Sequence, residues 1–302
     1  MKSQGFREIC PEITRSQFEE KQVKSLRVGE VTVLMSVYAN TKAEDLAFAL
    51  KSLQAQTRPP ERILVVLDGP IAQDVHSLLN NVDTLPLEEN VGLGKALAAG
   101  LRAVDTEFVA RLDSDDAAFP HRIETQLSFL SKHPDISVVG SSMREFNEAG
   151  HGNIRKLPES PSAIAKYVRL NSPMNHPSVM FRTADVLAVG GYRDLRGMED
   201  YDLWARMISQ GKKLYNLPEP LTYFRVDQDQ FRRRSANNVR EAERELQTAL
   251  VQYGLVSPVR ARLNFVLRNL YRALPLHLMQ RAYGVLFHRS TVSYTHLRAH
   301  ET

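Results

Sequence analysis

Three apolar stretches, residues 31–37, 63–67 and 108–112, each stop abruptly on polar or acidic residues, with segments of helical patterning between them. The helical patterns run over 43–56, 71–79 and 92–104. Short Val-rich strands alternating with helices predict an α/β fold: a mostly parallel, Rossmann-like sheet covered by helices on both faces. Ligands of such sheets sit beyond the carboxyl ends of the strands. The loops at 38–40, 68–70 and 113–116 are therefore expected to converge on one crevice.

Further along, a helix is expected from Pro120 to about residue 133 and a strand over 136–140. Gly, Pro and Asn breaks mark 141–198 as a subregion built onto the first sheet. Residues 200–210 predict a helix with an acidic first turn and Leu203/Met207 and Trp204/Ile208 at i, i+4. From 231 onward the pattern is helical, with breaks at Gly254, Ser257-Pro258 and Pro275. The expected division is a polar leader (1–30), an α/β domain (31–235, its halves meeting at 118/119), a C-terminal helical appendage (236–291) and a tail (292–302). That tail, Val292 to Thr302, reads as translated sequencing-adapter sequence rather than protein coding sequence.

A chain of 302 residues, 43% hydrophobic, can bury a substantial core, which excludes disorder as the main state. Cys10 is the only cysteine, so intrachain disulfides and Cys-rich metal sites are excluded and a reducing, cytoplasmic setting is expected. No signal peptide is expected at the start, and no window carries the roughly 18 to 20 apolar residues of a membrane span. Lys plus Arg number 39 against 35 Asp plus Glu, and no acidic residue occurs from Leu246 to His300. There Arg260, Arg262, Arg268 and Arg272 are interleaved with Leu263, Val266, Leu267 and Leu270. Such a basic amphipathic segment either lies on an anionic membrane surface or packs its apolar face on the catalytic domain and shows arginines to water. Nucleic acid is not an expected partner, because no recognition motif accompanies the charge.

Asp113, Asp115 and Asp116 directly follow the third apolar run. Such a cluster repels itself unless a cation enters it, and hard oxygen ligands select Mg²⁺ or Mn²⁺. A solvated turn with an Asp helix cap is the other reading of these residues. Rival phosphate loops fail nearby. A dinucleotide fingerprint needs glycine where Leu97 stands, and a Walker loop needs Gly and Ser or Thr where Glu89 and Ala96 stand. Gly92 and Lys95 instead open a helix, Lys95 lying either near phosphate or in solvent.

The ordered motifs Ser36-Val37-Tyr38-Ala39-Asn40, Asp68-Gly69, Asn90 to Ala96, the Asp113 cluster, Asn175-His176-Pro177, Gly190-Gly191-Tyr192 and Glu199 to Trp204 resemble the family 2 glycosyltransferases with the GT-A fold. Leu217 to Leu221 and Tyr223 to Val226 are most similar to the amylovoran-type exopolysaccharide transferases. The resemblance implies a nucleotide-sugar donor, probed by Asp68 at the base and by Tyr38 and Asn40 at base and ribose. It implies that Asp113 and Asp115 hold the metal, with Asp116 as an additional ligand, and that Asp200 is the base of an inverting transfer with Glu199 beside it. Asp200 at a helix start is expected to be ionised at neutral pH. His176 and Trp204 fall on the acceptor side, His176 reading equally as a structural histidine. The implied acceptor is a saccharide, lipid-linked if the tail meets a membrane.

Arg232 and Arg233 read either as a diphosphate clamp or as an exposed basic helix start. Arg234 stands where processive relatives carry tryptophan, so a single transfer per encounter is expected. Many relatives carry a histidine metal ligand where Asp227, Gln228 and Asp229 stand. A nucleotidyltransferase needs a Gly-rich loop after the first strand, and residues 36–40 hold no glycine. A sugar-nucleotide-binding relative without turnover is the non-enzymatic alternative.

Overall fold

Alternate residues of the first strand, β1 (Arg27–Val37), go to opposite faces of the sheet. Val31, Val33, Met35 and Val37 enter the core on one side and Leu34 that on the other, as a period of two requires. The computed structural model describes residues 26–147, 150–226 and 238–274. β1 begins before the expected leader boundary, since Arg27 pairs with Thr106.

β1 pairs in parallel with β2 (Arg62–Leu67) and with β4 (Thr106–Arg111), and β3 (Asp83–Pro86) extends the sheet beyond β2. The connections are α1 (Ala43–Gln54), α2 (Gln73–Ser77) and α3 (Leu93–Ala103). Leu46, Leu50 and Leu53 of α1 cover one face, and Ala96, Leu97 and Leu101 of α3 cover the other. A Cβ on Gly100 would meet Leu34 at 2.5 Å and Val66 at 2.7 Å, so glycine is what lets α3 lie this close to the strands.

The second half comprises β5 (Ala117–Ala118), α4 (Arg122–Lys132), β6 (Ile136–Asn147), β7 (Gly150–Arg155), α5 (Pro161–Tyr167), a 3₁₀ turn at His176–Ser178, β8 (Met180–Arg182), α6 (Thr183–Ala188), α7 (Glu199–Ser209) and β9 (Lys213–Arg225). The strand order is β3-β2-β1-β4-β8-β6-β9-β5, with β7 beside β6. β8 runs antiparallel to both β4 and β6, so the parallel pattern of β1 to β4 gives way to a mixed sheet. In the β6–β9 ladder, Ser141 faces Leu217 and Ser142 faces Pro220. Pro218 and Glu219 fall between these two pairs, where the register shifts.

α7 is buried on two sides. Leu203, Trp204 and Met207 face the sheet, while Tyr201 and Ala205 meet Ala242, Leu246 and Leu250 of α8 (Asn238–Gln252). Ser257 then caps α9 (Pro258–Arg272), accepting the Arg260 N–H, with Pro258 in the first turn. Arg268 and Arg272 turn inward to the fully buried Glu243 carboxylate at 2.7 and 2.6 Å. Leu263, Val266, Leu267 and Leu270 turn outward, Leu270 with 60% of its surface exposed. This reverses the packed reading of the basic segment, in which the apolar face went in and these arginines went to water. No helix among the described residues is long and apolar enough to cross a membrane.

Candidate active site

Because β1, β2 and β4 are parallel neighbours, Tyr38, Asp68 and Asp113 leave the sheet at one edge. Asp68 is buried, and its carboxylate accepts from the Val91 N–H (2.7 Å), the Gly92 N–H (3.1 Å) and the Asn90 side chain (3.2 Å). Gly69 permits this approach: its φ is +81°, and a Cβ there would lie 2.7 Å from the Asn90 nitrogen. Asp68 thus fastens the loop that opens α3. Tyr38 is half-buried, with its N–H on Thr41 Oγ1 (3.0 Å), and Asn40 is exposed. Lys95 projects into solvent and pairs with Asp194 at 2.8 Å.

The three aspartates after β4 bring one oxygen each within 4.8 Å of one another. They are braced from below. Arg111, almost fully buried, pairs with Asp113. Arg225, at the end of β9, donates its backbone N–H to Asp116 Oδ1 (2.8 Å), its Nε to the Asp115 carbonyl (3.2 Å) and its guanidinium to Asp45 (2.7 Å). Burial, then the charges of Asp115 and Asp113, push the Asp116 carboxyl well above the usual carboxylate range. Asp116 Oδ2 is buried without a hydrogen-bond partner among the described residues. Hard oxygen donors with one buried oxygen left over fit a divalent cation of the Mg²⁺ or Mn²⁺ kind. A freely solvated turn does not account for a buried, unpartnered carboxylate oxygen.

Facing the cluster is the first turn of α7. Burial, then the charge of Asp200, raises the Glu199 carboxyl to about 7, and Asp113 contributes to that rise. The Asp200 carboxylate accepts from Ser172 Oγ at 3.0 Å. Burial raises Asp200 above its ordinary value, opposed by the Ser172 bond and by backbone N–H donors at the helix start. At this helix start, removal from water outweighs the helix end in setting the direction of the shift. A Cβ on Gly94 would stand 2.5 Å from the Arg193 carbonyl and 3.3 Å from Glu199 Cβ, so this glycine allows α3 to abut the start of α7.

His176 Nε2 lies 2.9 Å from the Tyr192 hydroxyl, and its ring stands edge-on to Trp204. Burial, and then Arg111, hold the His176 pKa well below its usual value, so the ring is neutral at pH 7. Trp204 requires a correction. It has no accessible surface and packs in the core beneath His176, so it touches no acceptor. Arg232 and Arg233, and the stretch 227–229, lie outside the described residues.

Sequence reasoning assigned no role to Arg111, Tyr192, Ser172 or Arg225. Tyr192 and Arg225 stand inside motifs already singled out, and Arg111 lies two residues before the aspartate cluster, which were usable signals. Ser172 and Arg225 reach Asp200 and Asp116 across 28 and 109 residues of chain, and local pattern carries no trace of that.

Residues 32–191 match the sequence model described as glycosyl transferase family 2. The chain is 36% identical over 261 residues to the amylovoran biosynthesis glycosyltransferase AmsE of Erwinia amylovora, covering 83% of this chain and 97% of that protein. It is 31% identical over 252 residues to the UDP-Gal:alpha-D-GlcNAc-diphosphoundecaprenol beta-1,3-galactosyltransferase of Escherichia coli, covering 81% and 91%. Among solved structures, S. aureus TarS 1-349 in complex with UDP-GlcNAc superposes with a TM-score of 0.61 at 19% identity, covering 88% of this chain and 76% of that one. The fold is therefore that of the GT-A glycosyltransferases.

Proposed function

Because this chain belongs to glycosyl transferase family 2, we propose that it transfers a sugar from a UDP-hexose or UDP-N-acetylhexosamine to a lipid-linked saccharide during bacterial exopolysaccharide, capsule or O-antigen assembly. The donor and acceptor classes draw on what the Escherichia coli and S. aureus relatives are named for. One observation carries the reading: the strand-end aspartates and the Glu199–Asp200 pair share an electrostatic neighbourhood, Asp113 being among the charges that raise Glu199.

In this reading Asp113 and Asp115 hold Mn²⁺ or Mg²⁺, and the free oxygen of Asp116 is the further ligand. A bound ion offsets the charge that builds on a leaving diphosphate. Asp68 shapes the donor pocket through the 90–92 loop, with Tyr38 and Asn40 at base and ribose. Asp200 takes the proton of the acceptor hydroxyl while that oxygen bonds to the anomeric carbon and the carbon's bond to the diphosphate breaks, with inversion. Its raised pKa makes it a stronger proton acceptor than an ordinary aspartate. Glu199 orients it, His176 lies toward the acceptor, and Arg232 and Arg233 clamp the diphosphate. Transfer is single rather than processive, in line with Arg234 in place of tryptophan.

The chain works at the inner face of the cytoplasmic membrane. Support comes from α9, where Leu263, Leu267 and Leu270 form an exposed stripe with Arg260 and Arg262 nearby.

The test is a screen of nucleotide sugars for thermal stabilisation with Mn²⁺, followed by transfer of the labelled sugar to a membrane lipid extract. One UDP-sugar is expected to raise Tm by several degrees only with metal, and its label to enter the lipid fraction. Stabilisation without transfer to any extract would instead fit a sugar-nucleotide-binding relative.

A further inference from the structure

A cavity of about 670 Å³ opens between α5, the turn that follows it and the bend into α9. Lys166, Arg169 and Arg260 line it together with Tyr167, Leu170 and Leu255, and its lining includes no acidic residue. Among the described residues neither Lys166 nor Arg169 is held in an ion pair, and Arg260 engages Asn264 through Nε alone (3.0 Å). Three cations are thus gathered around apolar walls with no carboxylate to answer them.

Its position ties it to the chemistry. The segment that forms its wall continues through Asn171 to Ser172, which bonds Asp200. α9 is fastened to the same segment: Asn264 donates to the Arg169 carbonyl (2.8 Å), and Arg268 donates to the Leu170 carbonyl and to Asn171 (3.1 Å each). Arg260 lies three and seven residues before Leu263 and Leu267, so the cavity sits at one end of the exposed apolar stripe.

A neutral sugar gives three cations nothing to neutralise, and inorganic phosphate gives the apolar wall nothing to cover. The combination suits a diphosphate joined to an apolar chain, and the volume suits such a head group. We infer that this cavity is the head-group subsite for the acceptor, holding the diphosphate of a lipid-linked saccharide while its chain leaves along the stripe of α9. The inference rests on the lipid-linked acceptor proposed above.

Farnesyl diphosphate is a soluble probe of this chemistry, titrated calorimetrically into the full chain with EDTA present, so that the aspartate cluster holds no cation. Farnesyl diphosphate is expected to bind at least tenfold more tightly than farnesol or inorganic pyrophosphate. Lys166→Gln/Arg169→Gln and Arg260→Gln are each expected to weaken it tenfold to a hundredfold, roughly the effect of losing charge-assisted hydrogen bonds. Donor-dependent stabilisation with Mn²⁺ should be unchanged in both variants, which shows that they fold. Unaltered farnesyl diphosphate binding in the variants would overturn the subsite. So would a loss confined to phosphatidylglycerol vesicles, which would assign these cations to bulk lipid head groups. Diphosphate binding through these residues in a chain that transfers no sugar would leave the subsite standing and remove the transferase reading instead.

Discussion

The carboxylates that end β4 and those that begin α7 are both crowded, yet their surroundings treat the charge differently. Beneath Asp113 and Asp116 the core supplies Arg111 and Arg225, one as an ion pair and one through its backbone N–H. Even so, Asp116 Oδ2 is left unpartnered among the described residues. Around Glu199 and Asp200 the donors are a serine hydroxyl and backbone N–H groups, the charge of Arg155 acts on Asp200 only as a lesser influence, and burial is the largest influence on both carboxyls. A cluster braced by cations from behind, with one oxygen unfilled, is prepared for positive charge arriving from the crevice. A pair raised by burial is prepared to hold and exchange a proton. Crowded acids at one crevice therefore take separate duties according to what lies behind them.

The largest effects should separate these duties. Asp200→Asn is expected to lower kcat about a thousandfold, the usual size of a lost general base, while metal-dependent stabilisation by the donor persists. Asp115→Ala is expected to abolish both. Transfer kinetics beside a thermal-shift assay check this, and loss of donor stabilisation in Asp200→Asn would break the division of labour.

A smaller effect sharpens the first half of the comparison. Asp116→Asn keeps an oxygen for the Arg225 N–H but removes a charge that Asp113 and Asp115 oppose. Half-saturation by Mn²⁺ in donor binding is expected to rise about tenfold. In EDTA the variant is expected to melt a few degrees above the parent, since the burial of a charge and then its repulsion by Asp115 and Asp113 are relieved. A variant less stable in EDTA would mean that neither burial nor repulsion disfavours the Asp116 charge.

The parallel half of the fold was legible because strands buried on both faces read as apolar runs, and three such runs gave the crevice. In the added half α4, the start of β6 and α7 were legible, but β5 and β8 were not, having two and three residues, too few to show a period. For Trp204 the i, i+4 pairing with Ile208 pointed to a packed helix face, and a motif resemblance pulled the reading toward the acceptor. The two acidic groups were legible as residues but not as environments. Ser172 and Arg225 decide much of those environments and arrive from distant chain. The facing of α9 was equally hidden, because amphipathic spacing does not say which side goes inward. Glu243, buried and answering two arginines, settles it.

The smallest predicted effect tests the second half of the comparison through stability. Glu199 titrates near 7 in the folded chain against about 4.5 when unfolded, because burial and Asp200 disfavour its charge. Between these values the folded state holds the proton that the unfolded state has released, so this group makes stability fall as pH rises from about 4.5 to about 7. Above that window the cost is fully present, at most about 3 kcal/mol for a shift of this size. Glu199→Gln keeps the shape and removes the titration. The variant should therefore melt close to the parent at pH 4.5 and a few degrees above it at pH 8, as followed by circular dichroism across that range. A constant difference between the two at every pH would mean that Glu199 is not held protonated by burial, and that the α7 pair is as well neutralised as the β4 cluster.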